Sequence, residues 1–198
     1  MDRRKALQKT ALFAGATLAM PSVLSLLQSC KSETRLAWQP LFFMEDEAKT
    51  ITMLVDMILP RTETPGALDV KVDLFIDKVI AKGYDSEGQK SFRTNLEAFN
   101  ADCKNKYGDV FIHLNEADRV AVLKAAEANS GKFNPGVWGT TIGNQEPIGF
   151  YRSLKSMAIW AFVTSEEIGK NVLSYDPVPG QFLPCIPVSD VGNKWSLG

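Results

Sequence analysis

The sequence predicts an all-α protein: a single helical domain of about five helices with long irregular loops, preceded by a cleavable signal segment. Apolar residues recur at helical spacing in five separate stretches, and no alternating apolar and polar run reaches strand length. The start of the chain runs from basic to apolar to a cysteine, the order of an export leader. The expected organisation is a signal over 1–29, a lipidated tether over 30–44 and a helical domain over 45–198.

The leader comes first. Arg3, Arg4, Lys5 and Lys9 precede an apolar run over 11–27 that contains Gly15 and Pro21. That run is short and broken for a membrane span, which needs about 20 apolar residues. Arg3 and Arg4 followed by Leu7 resemble a twin-arginine export signal, whose receptor reads the arginine pair. Asp2 stands where Ser or Thr is usual, and Ala6 and Gln8 replace the usual Phe and Lys. Leu27-Gln28-Ser29-Cys30 resembles a lipoprotein cleavage box, with an aliphatic residue three before the cysteine and a small one just before it. Cys30 would then be the acylated mature N-terminus, since acyl chains at about 0.8 kcal/mol per buried CH₂ hold a protein firmly on a bilayer. The alternative is an ordinary signal peptide with an incidental cysteine. The expected location is the periplasmic face of a bacterial membrane. The twin-arginine route carries folded proteins, so something exported with this chain must acquire its cofactor before crossing.

The helices follow in order. Residues 31–44 read as a tether that ends in an apolar anchor, Trp38 with Leu41, Phe42 and Phe43. Ile51, Leu54, Val55, Ile58 and Leu59 mark a first helix face, which Pro60 ends. Val72, Phe75, Ile76, Val79 and Ile80 repeat the spacing, and Gly83 closes that helix. Phe92, Leu96, Phe99 and Cys103 give a third helix running to Tyr107-Gly108. Asn115 can cap a fourth that carries Val120 and Leu123. Phe150, Leu154, Met157, Ala158 and Ala161 mark the fifth. Turn-forming stretches over 61–66, 133–147 and 176–187 separate them.

Composition narrows the chemistry. The chain has 22 Lys+Arg against 23 Asp+Glu. Cleaving the leader removes four of the basic residues and only Asp2 of the acidic ones, leaving a mildly acidic body. Such a body is a poor partner for a phosphate backbone, so nucleic acid is not an expected partner. One His and three scattered Cys do not make a zinc cage, and no C-x-x-C-H haem attachment occurs. No G-x-G-x-x-G follows a strand, so no dinucleotide fingerprint is present and no cofactor is expected in this chain.

His113, between aliphatic residues at a helix entrance, reads as a structural or surface residue rather than a catalytic base. Asp69, Asp73 and Asp77 stand four apart and would line one stripe of the second helix. That stripe can bind a cation or act as an acid–base pair, but interleaved Lys71 and Lys78 favour a solvated face. Cys103 and Cys185 can form a disulfide in an oxidising periplasm, or Cys103 can be a buried free thiol on its apolar face.

Ile58-Leu59-Pro60-Arg61-Thr62-Glu63-Thr64-Pro65-Gly66-Ala67, followed by Val72, Phe75, Ile76 and Asp77, resembles the gluconate 2-dehydrogenase subunit 3 family. The resemblance runs on through Phe99 to Tyr107-Gly108, through the aromatic helix over 150–162, and closes at Pro179-Gly180-Gln181-Phe182 near Cys185 and Pro187. It implies a cofactor-free helical subunit, inactive alone, of a periplasmic membrane-associated dehydrogenase. In such a complex a large FAD-dependent subunit oxidises a sugar, polyol or sugar acid, and a cytochrome c subunit, where present, passes electrons on. The small subunit supplies the export signal and stabilises the large one. The lipid anchor and the short chain depart from the family's better-known members.

The residues point the same way independently: a chain with a folded-export signal and no cofactor motif escorts a partner that carries one. The partner surface is expected at Pro60, Arg61, Thr62, Thr64, Pro65 and Gly66 and at the aromatics Trp38, Phe42, Phe43 and Trp138, or these aromatics fold back on their own core. Pro60 stops a helix, Gly66 can take positive φ, and Arg61 can make an interface ion pair or cap the preceding helix. Two other readings compete. One is a free-standing envelope lipoprotein that binds carbohydrate in a pocket of Trp138, Tyr151 and Trp160 with carboxylates from 69–77. The other is a hydrolase that uses Asp73 and Asp77.

Overall fold

The computed structural model describes residues 38–133, 136–137, 140–141, 147–175, 178, 180 and 185–193. All belong to one compact unit, Trp38–Gly198. Arg3, Arg4, Cys30 and Trp138 lie outside the described residues.

The five expected helices are α1 (Glu45–Ile58), α2 (Val72–Gly83), α3 (Ser86–Tyr107), α4 (Glu116–Asn129) and α5 (Phe150–Val163). Two short helices follow, α6 (Glu166–Asn171) and α7 (Val188–Val191). A 3₁₀ turn, Phe111–His113, joins α3 to α4. Within the loop before α5, β1 (Gly136–Val137) and β2 (Thr140–Thr141) pair antiparallel over two residues each. The architecture is all-α, as the periodicity predicts.

The helix ends follow from their capping residues. Asp85 accepts from the Gly88 N–H at 2.8 Å and starts α3. Gly108, at φ 90°, takes the left-handed turn that stops it and donates to the Lys104 carbonyl. Asn115 caps α4 as expected, accepting from the Asp118 N–H at 2.9 Å. At the end of α2 the Gln89 amide, reaching back from α3, donates to the free carbonyls of Ile80 and Ala81 at 3.0 and 3.2 Å.

Helix α5 is the hub, touching α1, α2, α3, α4 and α6. Its Leu154 and Ala158 are fully buried, and small Ala158 and Ala161 let neighbours approach. Ile51, Leu54 and Val55 from α1, Val72, Ile76 and Ile80 from α2, and Leu96 from α3 complete the core. Aromatic rings run through it, Phe43 to Phe92 to Phe150 to Phe99 to Phe111, at centroid distances of 5.4–5.7 Å, with Phe92 and Phe150 edge to face and the others tilted.

One helix face differs from expectation. Val122, not Val120, is the buried residue of α4, and Val120 is exposed. This alanine-rich helix has little apolar pattern of its own, so its partner sets its phase. Glu127 bridges to Arg152 and Lys155 of α5, each at 2.9 Å. Among the described residues no helix is long and apolar enough to cross a membrane.

Candidate functional site

Two non-helical segments flank α2, and the carboxylates the sequence places four apart hold both. The segment over 38–44, which we call the strap, lies against α2 with the N–H groups of 41–44 all bonded. Asp77 is buried and accepts from the N–H groups of Leu41, Phe42 and Phe43 at 2.7, 3.0 and 3.0 Å. Asp73, also buried, accepts from the Trp38 indole at 3.1 Å and from the Thr52 hydroxyl of α1 at 2.9 Å. Glu47 accepts from the Met44 N–H at 2.8 Å, as an N3 glutamate does in a capping box. Arg93 of α3 closes the arrangement. It donates to Glu47 at 3.0 Å and to the Phe42 carbonyl at 3.0 Å, and its guanidinium stands 4.5 Å from the centre of the Phe42 ring.

This overturns the solvated-face reading of the acidic stripe. A buried carboxylate without partners costs several kcal/mol, on the order of a small domain's whole stability. Asp73 and Asp77 avoid that cost by accepting from groups of the strap and α1 that would otherwise lack partners. They are therefore engaged structurally and not free for a carbohydrate pocket or acid–base work. Of that pocket's aromatics, Tyr151 is buried while Trp160 is 54% exposed on the Phe75 ring at 5.3 Å. Phe43 is likewise a core residue rather than a surface anchor; Trp38 and Phe42 are half-buried. Leu41 and Met44 are each 61% exposed.

Asp69 stands apart from the other two. It precedes the helix, in the turn that leads into α2, and holds the 60–67 segment. Arg61 donates to it through both Nε, at 2.7 Å, and Nη2, and the Gly66 N–H donates to it at 2.8 Å. The guanidinium and the Gly66 N–H hold the Asp69 carboxyl below the usual range, and Asp69 in turn raises Arg61. Arg61 thus pairs within the chain through two of its guanidinium nitrogens, while its side chain stays largely exposed. Gly66 is also needed for a different reason than expected. Its φ is not positive; a Cβ there would lie 2.5 Å from the Arg61 nitrogen and 2.9 Å from the Pro60 carbonyl carbon. The chain closes on itself at that point, where Ala67 N–H donates to the Leu59 carbonyl at 2.8 Å. Thr62, Glu63 and Thr64 are exposed on the turn so formed.

Beside this turn an open cleft of about 460 Å³ runs between 69–71 and α6, lined by Asp69, Lys71, Glu166 and Lys170 among others. Lys71 enters α2 at φ 59°, a left-handed conformation rare outside glycine. Among the described residues no group of three or more His, Cys, Asp or Glu is arranged to hold a metal. His113 is exposed and faces Asp109 at 3.2 Å.

Cys103 and Cys185 are not bonded to each other in this structure, the first being buried and the second exposed. Burial, chiefly, pushes the Cys103 thiol up to about 11. It lines a small cavity of about 150 Å³ between α3 and α4.

Residues 45–180, more than half of the chain and including the 60–67 turn and α2, match the family described as gluconate 2-dehydrogenase subunit 3. The chain belongs to that family. No curated protein and no solved structure matches it significantly. A gluconate 2-dehydrogenase subunit 3 is one chain of a multi-subunit dehydrogenase. In this subunit the motif-bearing segment is a rigid exposed turn, braced by Asp69, rather than a cluster of reactive groups. Sequence reasoning missed Glu47 and Arg93, which lock the strap. Met44 at the N-cap carries no capping side chain, so Glu47 lacked the Ser or Thr three residues earlier that would have marked it; nothing local marked Arg93.

Proposed function

We propose that this protein is the non-catalytic small subunit of a periplasmic FAD-dependent dehydrogenase that acts on a sugar, polyol or sugar acid. In this reading it supplies the twin-arginine signal (Arg3, Arg4), anchors the complex through acylated Cys30, and stabilises the flavoprotein subunit. The observation that carries the reading is the family match over 45–180. The site geometry supports it, because the carboxylates nearest to a catalytic arrangement are occupied by backbone, indole and hydroxyl donors. The flavoprotein docks on the exposed 61–64 turn and on the aromatic surface of Phe75 and Trp160. A rigid turn suits an interface because little conformational entropy is lost on binding.

The test is gentle detergent extraction of the tagged full-length chain from its native membranes. A co-eluting large subunit with flavin absorbance and sugar- or polyol-dependent dye reduction is the expected result. A chain recovered alone as a stable monomer, or one that itself turns over substrate, would overturn the proposal.

A further inference from the structure

The strap has an outer rim that the fold does not use. Leu41 and Met44 are each 61% exposed, next to half-buried Trp38 and Phe42, on a segment whose N–H groups from 41 to 44 are all bonded to carboxylates. Apolar side chains held outward on so firmly fixed a backbone are not explained by packing within the domain. We propose that this rim is a second membrane contact, seated on the phospholipid surface that carries the acyl chains of Cys30. The inference rests on the reading of Cys30 as lipidated.

Chain length is what selects a lipid surface as the occupant. Only eight peptide links separate Cys30 from Trp38. Whatever their conformation, they span at most about 28 Å. A domain of this size has a radius of gyration of about 15 Å. With the strap clamped by Asp73 and Asp77, the rim is therefore the part of the domain tied nearest to the bilayer. The tether also makes the contact intramolecular, at an effective concentration in the millimolar range, so a small apolar rim suffices. Trp38 adds apolar surface beside the rim: its ring is half-buried, with its indole N–H turned inward to buried Asp73. The charges do not attract anionic lipid, since Glu45 and Asp46 adjoin the rim with Lys49 paired to both. The contact is apolar and should be insensitive to salt.

The test uses the full-length acylated chain, purified with any bound partner and reconstituted in phosphatidylethanolamine/phosphatidylglycerol vesicles. A polarity-sensitive dye is placed at Leu41→Cys, and separately at Met44→Cys, in a Cys185→Ser background where buried Cys103 does not react. Mass spectrometry reports acylation of Cys30. Emission at both positions is expected to shift to the blue and to be quenched by nitroxide lipids more than by an aqueous quencher, unchanged in high salt. An acylated, vesicle-bound chain whose dyes stay aqueous would overturn the rim contact while leaving the anchor intact. Dyes shielded from both quenchers only when the flavoprotein is bound would assign the rim to that partner and overturn it as well. A chain with no acyl mass at Cys30 would remove the anchor, and the proposal with it.

Discussion

Replacing Asp77 by alanine tests the central claim about the strap. The substitution deprives the N–H groups of Leu41, Phe42 and Phe43 of their acceptor. Hydrogen bonds to a charged group contribute about 1.5–3 kcal/mol each, but summing three overstates the loss. The strap can detach and hydrate its amides, so the cost is capped near the value of docking it. Burial of Phe43 sets that scale, about 1.5–3 kcal/mol, with the remaining strap contacts adding to it. We therefore expect about 3 kcal/mol, or about 6–12 °C in Tm for a chain of this length. Asp77→Asn should lose about half as much. Its one carbonyl oxygen can still serve Phe42 and Phe43, which share Oδ1, while its amide group faces the Leu41 donor. Urea unfolding of the mature chain measures the magnitude, and hydrogen exchange at 41–43 shows whether the loss is local to the strap. A change below about 0.5 kcal/mol in Asp77→Ala, with those amides still protected, would refute the reasoning.

Three other outcomes are expected. Gly66→Ala should destabilise the fold by more than about 1 kcal/mol and weaken capture of the flavoprotein, because the new Cβ meets backbone at 2.5 Å; thermal melts and co-purification check both. Asp69 and Glu127 are held below their ordinary values of 3.8 and 4.5, first by their hydrogen bonds to Arg61 and Lys155. A depressed carboxylate stabilises the fold above its unfolded pKa and loses that contribution as pH falls through the folded one. Stability should be level above about pH 5 and fall below about 4.5, less steeply in high salt because both groups are exposed. Stability that rises on acidification would contradict this. Finally, maleimide at pH 7 should label Cys185 and spare Cys103 in the native protein, and reach both in denaturant; intact mass counts the adducts.

The helices were legible because most carry a dense apolar stripe, an end signal or both. Pro60 after α1, Gly108 after α3 and Asn115 before α4 fall where the structure ends or starts those elements. The α4 face was not, since an alanine-rich stripe leaves phase to tertiary contacts. The candidate site was half legible. The position of the 60–67 turn could be read from Pro60 and Gly66, but the reason for Gly66 could not. Backbone approach between residues five apart leaves no mark that distinguishes it from positive φ. Asp73 and Asp77 were read correctly as one stripe of a helix and wrongly as solvated, while Asp69, read with them, precedes the helix in an exposed turn. Periodicity places side chains relative to one another, and it cannot show that a preceding segment will bring unpaired N–H groups to them.

Those three carboxylates supply the common logic of the two non-helical segments. Asp69, Asp73 and Asp77 each hold chain that forms no regular structure of its own: the 60–67 turn, the Trp38 indole and the strap backbone. In water a flexible segment of this length would not stay fixed, because ordering costs about 1–2 kcal/mol per residue. Charge-assisted bonds to a helix already set in the core offset that cost at the few positions where they act. The consequence is a division of labour along α2. Its apolar face, Val72, Ile76 and Ile80, builds the domain, and its Asp73 and Asp77, with Asp69 in the turn just before it, fix the neighbouring segments. On the proposed function such a chain needs no reactive group to be specific, since its partner reads the shape of segments that these three carboxylates hold still.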